Sequence, residues 1–226
     1  DLLGITLQSE LTFSNVLELI ARSQIPMFSG LRNEGDPIVM AGGPCASNPL
    51  PLSPFIDVFF FGEAEEGIVQ IAEVLRDFAT RDERLRILAT MESCWVPRYD
   101  EESKLISINE DPFAVHIPRV SIGSRKYPGF SANTNLHSPQ LLSWQLATHN
   151  RYVAEIMRGC SRGCRFCHAG FFYRPVRERN PGDIVTELLR EVQSSGWDEA
   201  GLISLSSSDY TCIRELMESL LNLVDT

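Results

Sequence analysis

The hydrophobic pattern of the first 80 residues alternates between short apolar runs and longer amphipathic stretches. Apolar runs within residues 2–8, 37–43 and 57–63 predict three buried strands. After the first run and after the third, apolar residues recur at helical spacing, and Thr12 or Ser14 is the predicted cap of the first helix. Buried strands separated by helices are typical of a parallel sheet with both faces covered.

Glycines end two of these predicted strands, Gly42 and Gly43 after the second and Gly62 after the third. In open parallel sheets, ligands bind beyond the carboxyl ends of the strands. We therefore expect these glycines along one edge of the sheet, beside a ligand crevice. The alternative is that they only allow tight turns, and the glycines alone do not separate the two interpretations.

The pattern changes between residues 81 and 150, where polar residues and prolines become frequent. Alternation around a polar turn predicts a hairpin between Val96–Tyr99 and Leu105–Ile108. We interpret residues 81–150 as a linker that contains this small hairpin and separates two α/β parts of the chain.

The alternation of strands and helices resumes at Tyr152. Residues 151–157 and 200–206 are predicted strands, and each is followed by an amphipathic helix. Asn180 is the predicted cap of the first helix, with a proline next to it, and Gly196 is predicted to end that helix. In βα-barrels, the loops that follow the strands carry the chemistry, so the loop after the first of these strands is the candidate site.

That loop contains the sequence RGCSRGCRFCHAG, with Cys160, Cys164 and Cys167, and with His168 directly after them. A structural zinc site usually takes four ligands from two separated pairs, and the sequence offers no second pair. The C-x-x-C-H spacing of haem attachment is present, but it needs an exported protein and leaves Cys160 unused. An iron–sulfur cluster normally takes four cysteines, so three would leave one iron open to another ligand. A disulfide is the remaining alternative.

The charge of the chain restricts its partners. A net charge of −10 argues against a large surface for nucleic acid or anionic membranes. Residues 158–179 differ from the rest, because they contain six arginines and a single acid, Glu178. This segment predicts a basic pocket for a small anion or, alternatively, a loop whose arginines pair with acidic neighbours.

Two further patterns bear on location. No stretch approaches the roughly 18–20 consecutive apolar residues of a membrane span. Cys45, Cys94 and Cys212 are scattered along the sequence like ordinary core residues, and such cysteines are typical of a reducing compartment. We therefore expect a cytoplasmic protein. Because no apolar span is present, we expect no membrane partner. In such a compartment, a dense cysteine cluster binds metal more often than it forms disulfides.

The cysteine loop resembles a known signature. Cys160-x3-Cys164-x2-Cys167, with Phe166 before the last cysteine, a strand before it and a helix after it, is similar to the motif of the radical S-adenosylmethionine (radical SAM) enzymes. The wider stretch EIMRGCSRGCRFCHAGFFYRPVRERNP resembles the subgroup with an N-terminal cobalamin-binding-like domain. The segments DLLGITLQSELTFSNVLELI, VMAGGPCASNP and DVFFFGEAEEGI are similar to the second half of that domain.

The resemblance implies an α/β protein with three parts. Residues 1–80 would form a partial flavodoxin-like, cobalamin-binding-like parallel sheet, residues 81–150 the linker, and residues 151–226 the first βα units of a radical SAM partial TIM-type barrel. Because such a barrel has more βα units than these, we expect the chain to be a piece of a longer polypeptide. It contains no D-x-H-x-x-G segment, the usual source of the lower cobalt ligand, so we do not expect tight cobalamin binding.

The resemblance also implies a reaction. Cys160, Cys164 and Cys167 would hold a [4Fe–4S] cluster whose open iron binds the amino and carboxylate groups of S-adenosylmethionine. An electron from a reductant such as flavodoxin or ferredoxin would split this cofactor into methionine and a 5′-deoxyadenosyl radical, which would attack an unidentified substrate.

Four further residues are implied in cofactor binding. Phe166 lies in the cysteine loop, and Ser206, Ser208 and Asp209 lie at the end of the second strand, where Asp209 would accept from the ammonium group. The alternative for the serines and Asp209 is helix capping. The alternative for the chain as a whole is a noncatalytic iron–sulfur or metal-binding module.

Overall fold

The computed structural model of the protein describes residues 1–100, 104–106, 115–117, 123–132, 142 and 151–224. The chain forms two compact units, residues 1–127 and residues 128–226. Within the described residues, no helix is long and apolar enough to cross a membrane. The strands and helices are β1 (Leu2–Thr6), α1 (Phe13–Arg22), β2 (Ile38–Gly42), β3 (Val58–Phe60), α2 (Gly67–Asp77), α3 (Arg81–Thr90), β4 (Cys94–Trp95), β5 (Lys104–Ile106), β6 (Val115–Ile117), β7 (Tyr152–Glu155), β8 (Met157–Arg158), α4 (His168–Phe172), β9 (Arg177–Glu178), α5 (Pro181–Ser195), β10 (Ala200–Ile203) and α6 (Ile213–Val224).

The first unit is built on a four-stranded sheet in the order β1-β2-β3-β4. β1, β2 and β3 run parallel, with Leu2 opposite Ile38 and Met40 opposite Val58, so the predicted parallel sheet is confirmed. Alternate residues of β2 pack into two separate hydrophobic clusters, one with α1 and the other with α2 and α3. Each face of the sheet thus buries its own row of side chains beneath helices. This confirms the α/β layering predicted from the hydrophobic pattern.

The helices of this unit begin close to the predicted places. α1 follows Thr12, but the Thr12 hydroxyl donates to the carbonyl oxygen of Ser9 at 2.7 Å instead of capping the helix. α3 was not predicted, and it begins with a capping box in which Thr80 and Glu83 each bond the other's backbone N–H. Residues 81–100 therefore belong to the first unit rather than to a linker.

The predicted hairpin between Val96–Tyr99 and Leu105–Ile108 is wrong in its first strand. Cys94–Trp95 instead pairs antiparallel with β3, and Pro97–Tyr99 forms a single 3-10 turn. Trp95 is 3% exposed and its ring centre lies 5.5 Å from that of Phe59, so β4 is a buried strand of the main sheet. The hairpin present in this region pairs β5 with β6, and Ile108 lies outside the described residues.

A buried ionic cluster holds the amino ends of β2 and β3. Asp57, 5% exposed, accepts from Arg32 Nη1 at 2.7 Å and from Val39 N at 2.8 Å. Arg81 Nη2 lies 2.7 Å from the same carboxylate as an ion pair that lacks hydrogen-bond geometry. Burial lowers the pKa of the Arg32 guanidinium, which also donates to three carbonyl oxygens, those of Pro26, Met27 and Phe55.

The second unit contains the two predicted βα units. β7 and β10 run parallel, and apolar residues of α5 and α6 pack with those of β7 in one buried cluster. α5 begins where Asn180 Oδ1 accepts from Gly182 N at 2.8 Å, and it ends at Gly196, which has φ 72°. Both ends of this helix lie where the sequence predicted them, since cap and stop residues act through local geometry.

Candidate functional site

The cysteine loop is closed at its base by a short ribbon that the sequence analysis did not predict. β8 pairs antiparallel with β9, so the chain on the two sides of the loop is hydrogen-bonded together. Gly159 follows β8 with φ 85°, and a Cβ there would lie 2.7 Å from the carbonyl oxygen of Pro175. A side chain at position 159 would push the two ends of the loop apart. Residues 159–176 thus form one closed loop at the carboxyl end of β7.

The three cysteines of the loop are free thiols, so the disulfide alternative is not realised. Cys164 is exposed, and Cys160 and Cys167 are half-buried. Cys167 Sγ caps α4 by accepting from Gly170 N at 3.3 Å, and Cys160 Sγ accepts from Arg162 N at 3.5 Å. Both sulfur atoms are thus held in place by backbone N–H groups of the loop itself.

The donor set of the loop fits an iron–sulfur cluster. Three cysteines within one surface loop supply the soft thiolate ligands that such clusters take. Among the described residues, however, no three His, Cys, Asp or Glu side chains are grouped so that they hold a metal ion. His168 packs its ring against Phe172, with ring centres 5.6 Å apart. Cluster binding therefore requires the three thiols to turn towards a common point.

The other predicted cofactor-binding residues lie at two places. Phe166 is 91% exposed in the cysteine loop. Ser206, half-buried, lies shortly after β10 and precedes a single 3-10 turn. In this turn Ser208 is exposed and Asp209 is half-buried. Because β7 and β10 are parallel neighbours, this turn and the cysteine loop follow strand ends at the same edge of the sheet.

Asp209 connects this turn to the cysteine loop. Its carboxylate accepts from Arg162 Nε at 2.6 Å and from Ser206 Oγ at 2.7 Å, and Arg162 Nη2 donates to its other oxygen. The Arg162 guanidinium holds the pKa of the Asp209 carboxyl below its ordinary value, so the group is ionised at neutral pH. Among the described residues, the Asp209 carboxylate bonds to side chains and not to the first N–H groups of α6. This geometry does not favour helix capping as the role of Asp209.

Half of the six arginines of residues 158–179 form ion pairs with acidic side chains among the described residues. These pairs are Arg158–Glu155 at 2.9 Å, Arg179–Glu187 at 2.6 Å and Arg162–Asp209. The acidic partners, Glu155, Glu187 and Asp209, lie outside residues 158–179 in the sequence. A charge count restricted to that segment therefore gave an excess of positive charge. The described contacts favour the paired-loop alternative over an open anion pocket.

Two features beneath the loop were not predicted. Glu187 of α5, fully buried, accepts from Tyr152 Oη at 2.7 Å as well as from Arg179. The ring of Phe130, also fully buried, contacts the guanidinium groups of Arg158 in β8 and Arg177 in β9, which lie 4.6 and 5.6 Å from its centre. Tyr152 and Glu187 are 35 positions apart, and Phe130 is likewise distant in sequence from β8 and β9, so residue type alone carries no signal of these contacts.

In the first unit, Gly42, Gly43 and Gly62 follow the carboxyl ends of β2 and β3, along one edge of the parallel sheet as predicted. Gly43 has φ 94°, and the next turn brings Cys45 N within 3.0 Å of the carbonyl oxygen of Leu7. This geometry needs a glycine, because other residues adopt such a backbone conformation only with strain.

At Gly62 the chain covers its own strand end. Residues 123–127 cross the edge here, with Arg125 N donating to the carbonyl oxygen of Phe61 at 2.9 Å. Arg125 Nη2 lies 3.0 Å from Glu66 Oε2, and a Cβ at Gly62 would collide with the Arg125 backbone. Gly62 therefore makes room for the chain's own backbone, which supports the tight-turn interpretation at this position.

Comparison with known proteins adds an independent line of support. Residues 1–97 match the family described as "Radical SAM proteins, N-terminal". The uncharacterized protein MJ0966 of Methanocaldococcus jannaschii is 29% identical over 217 residues, which are 96% of this chain and 40% of that protein. Two structures of TsrM from Kitasatospora setae, a radical S-adenosylmethionine methyltransferase, match 98% of this chain and 40% of their own, at 14% identity and TM-scores of 0.61 and 0.56.

The first TsrM structure contains its tryptophan substrate and the analogue aza-SAM, and the second contains cobalamin and a [4Fe–4S] cluster. At 14% identity these two structures show a shared fold. The chain spans about 40% of the length of the relatives that it matches.

A parallel-sheet domain followed by βα units, the first with three cysteines in its loop, is an α/β architecture. In proteins of this architecture, ligands generally bind beyond the carboxyl ends of the strands. Residues 1–97 match the N-terminal family of the radical SAM proteins, and the chain shares the fold of the two TsrM structures. The resemblance predicted from the cysteine loop and the first strands is confirmed.

Proposed function

We propose that the polypeptide containing this chain is a radical SAM enzyme. In this proposal Cys160, Cys164 and Cys167 hold a [4Fe–4S] cluster, and Asp209 receives the ammonium group of S-adenosylmethionine. The observation that carries the proposal is the direct contact between the two elements. The loop with the three free thiols and the turn with Asp209 lie at one edge of the β7–β10 sheet, joined by Arg162.

When bound, the cluster and S-adenosylmethionine supply the chemistry, namely a one-electron cleavage that gives methionine and a 5′-deoxyadenosyl radical able to take hydrogen from a substrate. The chain's own residues bind and orient these groups. Backbone N–H groups of Arg162 and Gly170 donate to the sulfur atoms of Cys160 and Cys167 and orient these two side chains. Ser206 fixes one oxygen of Asp209 at 2.7 Å and leaves the carboxylate ionised as an acceptor.

The partners of the whole protein are part of the proposal. The reaction needs a one-electron donor of the flavodoxin or ferredoxin class, and the exposed Cys164 and Phe166 leave the loop accessible from outside. We do not propose cobalamin as a tightly held cofactor of this chain, because residues 123–127 cover the end of β3.

A second candidate is a noncatalytic iron–sulfur module. It is favoured by one observation, that the carboxylate expected to receive the ammonium group is already bonded to Arg162. The two candidates share the cluster and differ in whether S-adenosylmethionine binds.

Anaerobic reconstitution tests the cluster. With iron and sulfide, the protein is expected to hold about four irons, and replacement of Cys160, Cys164 or Cys167 by alanine is expected to remove them. Alanine at Cys94 or Cys212, which lie away from the loop in sequence, serves as the matched control and should leave the iron content unchanged. Stable zinc binding without iron–sulfur absorbance would contradict the proposal.

Addition of S-adenosylmethionine and a strong reductant then separates the candidates. Formation of 5′-deoxyadenosine, measured by chromatography, supports the radical SAM enzyme. A reconstituted cluster that neither binds nor cleaves S-adenosylmethionine in the complete polypeptide supports the noncatalytic module.

A further inference from the structure

The contact between Arg162 and Asp209 ties the cysteine loop to the turn after β10. Arg162 lies between Cys160 and Cys164 in sequence, so its position is coupled to both sulfur atoms. Its side chain is 64% exposed, whereas that of Asp209 is 15% exposed. The arginine thus reaches from the solvent side onto a carboxylate that the turn holds in place through Ser206.

The Arg162 guanidinium and the Ser206 hydroxyl together use three acceptor positions of the Asp209 carboxylate. Both nitrogen donors of the arginine fork point to Asp209, one to each oxygen, and Ser206 takes a further position. A carboxylate has about four lone-pair sites, so an incoming ammonium competes with this fork for the same oxygens. One cation has to yield for the other to bind with full hydrogen bonding.

We propose that Arg162 is a positioning residue that latches the cysteine loop to Asp209 and releases the carboxylate when the amino group of S-adenosylmethionine arrives. This inference rests on the proposed function, in which Asp209 is the acceptor for that group. It follows that the Arg162–Asp209 ion pair, here called the latch, opposes cofactor binding. When the cofactor binds, Asp209 exchanges its bonds with Arg162 for bonds with the ammonium group. Arg162 acts through Asp209 and does not itself touch the cofactor.

The first test measures affinity in the complete polypeptide with a reconstituted cluster. Arg162→Gln is expected to tighten S-adenosylmethionine binding about 1.4-fold to fivefold, measured anaerobically by equilibrium dialysis, because ion pairs with an exposed partner contribute only this much. The direction is informative, since damage to the site would weaken binding. Arg162→Lys keeps the charge but not the fork, and it should give a smaller gain.

Two control variants isolate the latch. Arg165→Gln removes the same charge from the same loop, at an exposed residue that makes no ion pair with any described residue, and it should give a smaller gain than Arg162→Gln. In an Asp209→Asn background, which should itself bind the cofactor more weakly, Arg162→Gln should give no gain. Iron content measured on each variant shows that the loop still forms.

A second readout does not involve catalysis. In protein without S-adenosylmethionine, backbone amides of residues 159–167 should exchange hydrogen faster in Arg162→Gln than in the parent protein. With S-adenosylmethionine bound, the two proteins should exchange alike, because the latch is then open in both.

The outcomes separate the inference from the proposed function. Weaker or unchanged binding in Arg162→Gln, or an equal gain in Arg165→Gln, overturns the latch and leaves the proposed function standing. If the parent protein holds a cluster but binds no S-adenosylmethionine, the proposed function fails and the inference falls with it.

Discussion

Replacement of Asp57 by asparagine is expected to destabilise the first unit by about 3–5 kcal/mol, the typical loss when one partner of a buried ion pair is removed. Asp57 is 5% exposed, and the side chains of its partners Arg32 and Arg81 are 0% and 5% exposed. Asparagine keeps an acceptor for Val39 N but removes the carboxylate that both buried guanidinium groups pair with. Arg32 retains three carbonyl acceptors, so we expect a value in the lower half of this range.

Hydrogen exchange is the appropriate assay, because a chain with two units need not unfold in one step. The most protected amides of β2 and β3 should exchange roughly 100-fold to 1,000-fold faster in Asp57→Asn, at about 1.4 kcal/mol per tenfold. Glu18→Gln is the matched control, since it breaks an exposed pair with Arg22 at 2.6 Å and should change stability by less than about 0.5 kcal/mol. Equal exchange in the two variants would refute the reasoning, because burial would then have no bearing on the value of the pair.

Three further predictions follow from single positions. Gly62→Ala should release residues 123–127 from the end of β3, seen as faster trypsin cleavage within that segment; unchanged cleavage would show that the edge tolerates a side chain. Iodoacetamide at pH 8 should label the exposed Cys164 first and Cys94 last, because burial raises the pKa of the Cys94 thiol to about 12, and peptide mass spectrometry gives the order. Burial raises the pKa of Tyr210 to about 12, so its contribution to stability is intact below about pH 10 and is lost as the pH rises towards 12. A Tyr210→Phe variant should therefore lose less stability between pH 8 and pH 11, measured by urea unfolding, and an equal loss would contradict this assignment.

The sequence predicted the strands that carry continuous apolar runs, because burial on both faces leaves a direct pattern. It failed at β4, since Cys94 and Trp95 together are too short a run to distinguish a strand of the main sheet from a hairpin arm. The ends of α5 were predicted because Asn180 and Gly196 act on their own backbone neighbourhood.

The candidate site divides in the same way. The three cysteines were evident from their spacing within eight residues. The pairing of Arg162 with Asp209 was not, because the two residues are 47 positions apart and meet only through the parallel pairing of β7 with β10. Glu187 likewise appears in the sequence as an ordinary charged residue of a helix. Its burial was not predicted, because its partners Tyr152 and Arg179 lie on other parts of the chain.

The ribbon of β8 and β9 bears on how the cysteine loop is closed. The contacts that close the cysteine loop, namely the strand pairing and the close approach at Gly159, are all made between protein atoms. These contacts offset the entropic cost of closing the loop. In small zinc domains, by contrast, metal binding supplies the free energy of folding. In the function proposed above, the three thiols would therefore come from a loop whose two ends the polypeptide itself holds together, and the cluster would not have to supply that closure.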